Sequence, residues 1–115
     1  SGSRKVPVAR VTLRRGRKTF KASASGDGPV DATYKAIDKV TKVSPSLVDY
    51  ALRAITAGKD AQGEVTVRLK LKGREVPGRG ASTDIIEASA KAYLAAVNRL
   101  LRPSPAEAKG ALGRV

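Results

Sequence analysis

Two early segments of the chain alternate apolar and polar residues with a period of two. The first covers residues 6–14, and the second covers 20–24, after a turn at Arg15 and Gly16. Strict alternation is typical of a half-buried strand, because successive side chains of a strand point to opposite faces of the sheet. The pattern predicts an N-terminal β-hairpin.

A helical period follows directly. Over residues 29–42, apolar residues recur three or four positions apart, beginning with Val30. Pro29 suits a first helical turn, where its missing N–H is not needed. Pro45 disfavours helical geometry in the residue before it, so Ser44 and Pro45 are expected to end this first helix.

Residues 47–57 fit either a helix or a strand. As a helix they would align Leu47, Ala51 and Ile55 on one face, and as a strand they would place Tyr50 and its alternate neighbours on one face. The pattern alone leaves both structures open.

The second half of the chain has a clearer pattern. Residues 64–72 alternate regularly and predict a half-buried strand, and 74–79 predict a short strand in which Pro77 indicates a sheet edge. From about residue 82 an apolar stripe at helical spacing continues to Pro103, which predicts a long second helix.

Each predicted helix is preceded by a glycine-rich turn. The turns are Gly26-Asp27-Gly28-Pro29 and Gly78-Arg79-Gly80-Ala81-Ser82. Two strand-then-helix units suggest a duplicated α+β domain with a pseudo-two-fold axis, about five to six antiparallel strands and two helices packed on one side. Each helix start offers N–H groups to a small anion, which favours a ligand sensor over an enzyme.

Composition narrows the class of protein. The 115 residues suffice for one domain, and they include no Cys or His, so metal and thiol chemistry are not expected. No apolar run approaches the ~18 residues of a membrane span and no signal-peptide pattern opens the chain, which predicts a cytoplasmic protein without membrane contact. We interpret residues 1–4 as an expression scar and disordered start, 5–102 as the domain, and 103–115 as a flexible C-terminal tail.

The net charge of +13 at pH 7 comes partly from the first hairpin, which holds basic but no acidic residues. Clustered Lys and Arg suit a nucleic-acid backbone. However, the chain has only three Tyr and one Phe, which supply no base-stacking platform. Nucleic acid is therefore not the expected partner, and a solvated strand face or docking on an acidic neighbouring domain explains the charge more simply.

Three stretches of the sequence occur together, and in this order, in one known family. They are GDGPVDATYKAIDKV, LVDYALRAITAGKDAQGEVTVRLKLKGREV and GRGASTDIIEASAKAYLAAVNRLL. Over about residues 5–102 the chain resembles the C-terminal regulatory domain of 2-isopropylmalate synthases, the first committed enzymes of leucine biosynthesis. The citramalate synthase regulatory domain, with isoleucine as effector, is the competing family, but the GPVDA and STDIIEASAKAY segments look more like the leucine-pathway enzymes.

The resemblance implies a homodimer that binds the end product L-leucine and mediates feedback inhibition of a remote catalytic barrel. It also favours a strand over 47–57. The family's catalytic residues and divalent metal belong to that barrel, so the chain is expected to be a regulatory domain without catalytic residues or cofactors. Its expected partners are L-leucine, a second copy of itself and the catalytic barrel.

A free branched-chain amino acid presents a carboxylate and an ammonium group. Helix-start N–H groups beside a glycine can bind the carboxylate. The first helix offers Gly28 and Pro29 for this role, and Asp27 is the candidate acceptor for the ammonium group. At the second helix the candidates are Gly80, Ala81 and Ser82.

The branched side chain needs a small apolar pocket. By analogy with the family, its candidate residues are Leu47, Tyr50 and Ala54 on the third strand, with Val65 opposite them. The size of the pocket would determine the preference for leucine over valine or isoleucine, although one methylene group changes the binding free energy by only ~1–3 kcal/mol.

Each candidate also has a plainer structural explanation. The glycines can permit turns with positive φ, and Asp27, Ser82 and Thr83 can be residues that cap or precede a helix. The apolar candidates can belong to the core. Tyr34 and Tyr93, on the predicted helix faces, are expected to pack rather than contact a ligand.

Overall fold

A computed structural model describes residues 5–103 of the chain. The predicted scar at 1–4 and residues 104–115 of the predicted tail lie outside the described residues. Five strands and two helices follow one another as β1 (Val8–Arg15), β2 (Lys18–Ser25), α1 (Pro29–Thr41), β3 (Ser46–Ala57), β4 (Asp60–Leu71), β5 (Arg74–Ser82) and α2 (Ile85–Leu101).

The strands form two separate antiparallel sheets. One sheet is the hairpin β1–β2, and the other has the strand order β3-β4-β5. Helix α1 packs on the first sheet, helix α2 packs on β4 and β5, and the two helices contact each other. This arrangement confirms the predicted α+β fold with two strand-and-helix units, although the second unit has one strand more than the first.

The first unit follows its sequence pattern closely. In β1 the residues Ala9, Val11 and Leu13 are half-buried, whereas the residues between them are exposed. Helix α1 packs against this hairpin, and Lys39 Nζ donates a hydrogen bond to the Ser23 carbonyl at 2.8 Å. The predicted N-terminal hairpin is confirmed.

Helix α1 ends earlier than Ser44 and Pro45. Lys42 adopts a left-handed conformation with φ of 61°, and its N–H donates to the Asp38 carbonyl at 2.8 Å. This bond closes the last turn, so α1 ends at Thr41 through its own cap. The predicted first helix is confirmed, but the expected role of the proline in ending it is wrong.

The ambiguous residues 47–57 form a strand, as the family resemblance implied. Strand β4 is longer than predicted, because it pairs with β3 as far back as Asp60. Strand β5 extends to Ser82, three residues past the predicted end at 79. It is an edge strand of its sheet, which agrees with Pro77.

The core of the second unit lies between the three-stranded sheet and α2. Val65, Val67 and Leu69 of β4 are fully buried there. The opposite face of the sheet carries exposed ion pairs, including Arg68 with Glu75 at 2.9 Å. The alternation of β4 therefore separates a buried face from a charged face, as its sequence predicted.

Glycines bring α2 unusually close to β5. A Cβ atom on Gly78 would collide with the Ala92 carbonyl oxygen and would lie 2.7 Å from the Ala96 amide nitrogen. A Cβ on Gly80 would lie 2.6 Å from the Ala92 nitrogen and 2.7 Å from the Ala88 carbonyl oxygen. The explanation of these two glycines by positive φ is wrong, because they serve helix-to-strand packing instead.

Candidate functional site

The start of α1 is the open helix terminus of this domain. Gly28 is the N-cap residue, with an extended backbone (φ −153°), and it has no side chain to cap the helix. Pro29 fills the first helical position. The next N–H groups, those of Val30 and Asp31, have no acceptor within the helix, because the first turn of any helix lacks one. Together with the helix dipole, they offer hydrogen-bond donors to an anion beside a bare glycine.

The loop before α1 is held in place from both sides. The Gly26 N–H donates to the Pro7 carbonyl at 3.1 Å, and the Asp27 N–H donates to Asp31 Oδ2 at 2.9 Å. Gly26 must lack a side chain, since a Cβ there would lie 2.5 Å from the Ala32 nitrogen. The predicted residues Asp27, Gly28 and Pro29 thus lie together in a fixed conformation.

The two acids at the start of α1, Asp27 in the loop and Asp31 in the first helical turn, have different surroundings. The hydrogen bond from the Asp27 N–H, aided by the Lys35 ammonium group 3.0 Å away, lowers the pKa of the Asp31 carboxyl below its ordinary value. Asp31 is therefore engaged within the first turn. The Asp27 side chain is exposed beside Gly28 and faces outward from the same loop.

The start of α2 is closed by its own cap. Asp84 Oδ1 accepts hydrogen bonds from the N–H groups of Ile86 at 2.8 Å and Glu87 at 3.3 Å, and the Asp84 carbonyl accepts from Ala88 at 2.9 Å. The cap residue is thus Asp84 rather than Ser82 or Thr83. The Ile86 and Glu87 amides thus already have an acceptor within the chain, unlike the first amides of α1.

The structure places Gly80, Ala81 and Ser82 in β5 and not at a helix start. They pair in register with Val65, Glu64 and Gly63 of β4. Ser82 is buried, and its Oγ accepts a hydrogen bond from the Asp84 N–H at 3.1 Å. Their predicted placement is therefore wrong, and the structure separates them from the open start of α1.

The candidate pocket residues of β3 share one face of the sheet. Tyr50 lies opposite Val67 and Ala54 opposite Gly63 in the antiparallel register, and directly opposed residues point to the same side. Leu47 lies opposite Leu69 on that side as well. Leu47 and Tyr50 are three residues apart, so in a regular strand their side chains would point to opposite faces. The register shifts by one residue between Leu47 and Asp49, and this bulge places both side chains on the same face.

Val65 lies opposite Leu52 rather than Tyr50, and it is fully buried in the core. Leu52 was missed as a candidate, yet it shares the face of Tyr50 and Ala54 and is 50% exposed. A Cβ on Gly63 would collide with the Ile85 side chain and lie 3.3 Å from Leu52 Cδ1, so both side chains lie over this glycine. Strand alternation could have revealed Leu52, whereas the position of Ile85 depends on the tertiary packing.

Tyr50 links β3 to the second helix. Its hydroxyl lies 2.8 Å from the Ser89 hydroxyl of α2, at hydrogen-bonding distance. Ser89 is fully buried. Tyr50 therefore has a fixed position between the edge strand and α2, whereas Leu47 and Ala54 are exposed.

Tyr34 and Tyr93 are buried packing residues, as predicted. Burial, reinforced by the nearby Tyr50, raises the pKa of Tyr34, and Ser89 is a smaller influence in the opposite direction. Ser89 pairs with Tyr50 at hydrogen-bonding geometry, so within residues 5–103 the Tyr34 hydroxyl has no partner. Burial, together with the hydrogen bond to Asp38, also raises the pKa of Tyr93.

Two surface cavities have volumes of about 400 and 510 Å³. Neither is lined by a residue predicted to bind the amino acid. Among the candidates for the apolar pocket, Leu47 and Ala54 are exposed in a single copy of the chain. Within the described residues 5–103, no group of three or more Asp and Glu side chains could hold a metal ion.

These features define a small α+β domain with one open helix terminus and an apolar edge strand. The chain belongs to the LeuA allosteric (dimerisation) domain family, whose model matches residues 1–101. Neither helix among residues 5–103 is long and apolar enough to cross a membrane.

Similar curated proteins are 2-isopropylmalate synthases from several bacteria. The enzyme of Heliobacterium modesticaldum is 55% identical over 101 residues, which cover 88% of this chain and 20% of the relative. That of Carboxydothermus hydrogenoformans is 53% identical over 102 residues, with the same coverage of each chain. That of Nitrosococcus oceani is 54% identical over 96 residues, covering 84% and 19%. The chain therefore spans about one fifth of the length of these relatives.

Proposed function

We propose that this chain is the regulatory domain of a 2-isopropylmalate synthase and that it binds L-leucine to mediate feedback inhibition. The observation that carries this proposal is the uncapped start of α1, next to the exposed Asp27. The membership of the chain in an allosteric domain family supports the same function.

The two charged groups of a free amino acid match the α1 start. The leucine carboxylate accepts hydrogen bonds from the N–H groups of Val30 and Asp31, where the helix dipole favours an anion. The Asp27 carboxylate accepts from the ammonium group. Gly28 leaves this approach open, since a Cβ there would meet no atom within 4 Å.

The leucine side chain contacts the inner face of β3. Tyr50 and Ala54 lie on this face, and Leu52 between them adds an apolar surface that is half exposed. The Tyr50 hydroxyl is already paired with Ser89, so its ring presents an apolar edge to the ligand. Val65 lies beside Leu52 on the neighbouring strand and is fully buried, so it supports this surface from the core.

A second copy of the chain completes this surface. Strand β3 is an edge strand, and large apolar side chains on it and at the start of α2 are exposed: Leu47 (47%), Val48 (51%), Leu52 (50%), Ile85 (38%) and Ile86 (42%). An exposed apolar edge strand favours association with another chain. The family's description as a dimerisation domain supports a second copy as the occupant.

Inhibition follows from coupled equilibria. Leucine that binds one arrangement of the two copies more tightly shifts the dimer toward that arrangement, and the attached catalytic domain is less active in it. A coupling free energy of about 1–3 kcal/mol is typical of such systems.

Isothermal titration calorimetry of the chain with leucine, isoleucine and valine tests this function. We expect saturable binding that is tightest for leucine and changes little with salt. Absence of heat with all three amino acids would contradict the proposal, and a preference for isoleucine would assign the chain to a citramalate synthase instead. Light scattering with and without leucine tests the dimer, and a monomer in both conditions would exclude a pocket shared between copies.

A further inference from the structure

A groove of about 510 Å³ lies at the tip of the first hairpin. We call it the hairpin-tip groove. Its walls come from the ends of β1 and β2 and from the C-terminal ends of both helices, with Val40 on α1 and Asn98 on α2. The proposed leucine site lies at the opposite end of α1, and a helix of 13 residues is about 20 Å long. The two sites are therefore distinct.

One wall of the hairpin-tip groove is apolar and open to solvent. Phe20, the one phenylalanine of the sequence, is 39% exposed there, and Leu101 is 51% exposed. Leu13 and Leu94 line the same groove and pack against the core. Large apolar side chains gain about 25 cal/mol for each Å² that a ligand removes from water, so this wall favours an apolar group.

The rim of the groove is cationic. Arg14, Arg15 and Arg102 line it, and no Asp or Glu does. None of these arginines is in an ion pair within residues 5–103. The two helix C-termini add a partial charge of about −0.5 each, which three full positive charges outweigh. The backbone here is fixed, because Arg74 Nη1 donates to the Arg102 carbonyl at 2.8 Å.

We propose that the hairpin-tip groove binds a small amphipathic organic anion. The apolar part of the ligand covers Phe20 and Leu101, and its carboxylate or phosphate accepts hydrogen bonds from the guanidinium groups of Arg15 and Arg102. Arg15 shares the face of Leu13 in β1, and Arg14 adds positive charge from the opposite face. Arginine suits this role because its planar fork binds such oxyanions through two parallel hydrogen bonds. This site is separate from the leucine site and does not depend on it.

Three probes with an eight-carbon chain separate the contributions of charge and apolar surface. Octanoate, octanol and octyltrimethylammonium are titrated into the chain by calorimetry, each below the concentration at which it forms micelles or leaves solution. We expect octanoate to bind at least about tenfold more tightly than the cation, because only the anion pairs with the arginines. Equal binding of the anion and the cation would overturn the proposal.

Matched double variants locate the site. Arg14→Ser with Arg15→Ser removes two cations from the groove, and Arg10→Ser with Lys21→Ser removes two exposed cations of the same hairpin that do not line it. We expect the first pair to weaken octanoate binding about tenfold and the second pair less than about twofold. An equal loss in both would show binding by net charge alone, which contradicts a built site.

Amide chemical shifts provide a readout independent of affinity. Octanoate should shift the signals of Phe20, Asn98 and Leu101, leave the Gly28 signal unchanged, and bind equally well in saturating leucine. Shifts centred on Gly28, or displacement by leucine, would show that octanoate occupies the leucine site. If octanoate instead dissociates a dimer in light scattering, the groove is an interface between copies and the proposal is wrong.

Discussion

The rings of Tyr34 and Tyr93 stack with their centroids 3.9 Å apart and their planes at 17°. Tyr34 belongs to α1 and Tyr93 to α2, so this stack joins the two strand-and-helix units. The Tyr93 hydroxyl also donates a hydrogen bond to Asp38 Oδ1 of α1 at 2.6 Å. The two sheets share no strand pairing, and the contact between the helices therefore couples the stability of one unit to the other.

The two tyrosine hydroxyls should contribute differently to stability. Tyr93→Phe keeps the stack but removes the bond to Asp38, and it should lower the free energy of unfolding by about 1–2 kcal/mol. Tyr34→Phe is the matched control, because the Tyr34 hydroxyl is buried without a partner within residues 5–103. It should leave stability unchanged or raise it by up to about 1 kcal/mol. Urea unfolding followed by circular dichroism measures both, and equal losses would contradict the assignment of these hydrogen bonds.

Gly78→Ala should strongly destabilise the domain. The added Cβ would collide with the Ala92 carbonyl oxygen, and neither the strand nor the helix backbone can move away without disturbing the core. The expected loss is about 3 kcal/mol or more. Gly28→Ala is the control, with open space around its Cβ and an extended backbone, and it should cost less than about 1 kcal/mol. Thermal unfolding measures the stability of both variants. A loss in Gly78→Ala as small as that in Gly28→Ala would mean that α2 lies farther from β5.

Asp38 should make stability depend on pH. Burial raises the pKa of its carboxyl above the ordinary value of 3.8, and the hydrogen bond from Tyr93 offsets this only in part. The folded state therefore holds the Asp38 proton more tightly than the unfolded state, so this contribution to stability is complete below pH 3.8 and is lost as the pH rises through the higher folded pKa.

Asp38→Asn measures that dependence directly. The amide oxygen can still accept the hydrogen bond from Tyr93, but it does not ionise. The stability of the variant relative to the original chain should increase as the pH rises from below 3.8 toward neutrality. Unfolding free energies of both proteins across this range give the slope, and a relative stability that moves in the opposite direction would show that Asp38 is stabilised as a carboxylate.

Asp27→Ala should weaken leucine binding by at least about fivefold, since it removes the acceptor proposed for the ammonium group. The fold should remain intact, because the Asp27 side chain is exposed and the bond to Asp31 comes from its backbone N–H. Asp60→Ala, at an exposed acid next to the β3–β4 turn, is the matched control for the loss of one negative charge. Titration calorimetry measures all three affinities. Unchanged leucine binding in Asp27→Ala would exclude this acid as the ammonium partner.

Much of the fold could be predicted from the sequence because burial is periodic. The alternation of apolar and polar residues in β1 and β4, and the helical spacing of apolar residues in α1, show which face of each element packs against the core. The open site at Gly28 and Pro29 was predictable for a similar reason, since proline at a first helical turn after glycine is a local signal of a helix start. Residues 47–57 lacked such a signal. These residues form an edge strand whose inward face is only partly buried, so their apolar positions fit both the helical spacing and the alternation of a strand. Only the family resemblance favoured a strand.

The sequence by itself determined the two strand-and-helix units and the open helix start beside Asp27, because each depends on residues close together in the chain. Only the tertiary structure decided that Gly78 and Gly80 lie beneath α2, that Leu52 lies opposite Val65, and that the second helix start is closed by Asp84. The first two are contacts between residues of different elements, and the periodic pattern within one element does not show how it packs on the next. The third depended on where β5 ends and α2 begins, since the strand continues to Ser82 and Asp84 is then the N-cap residue.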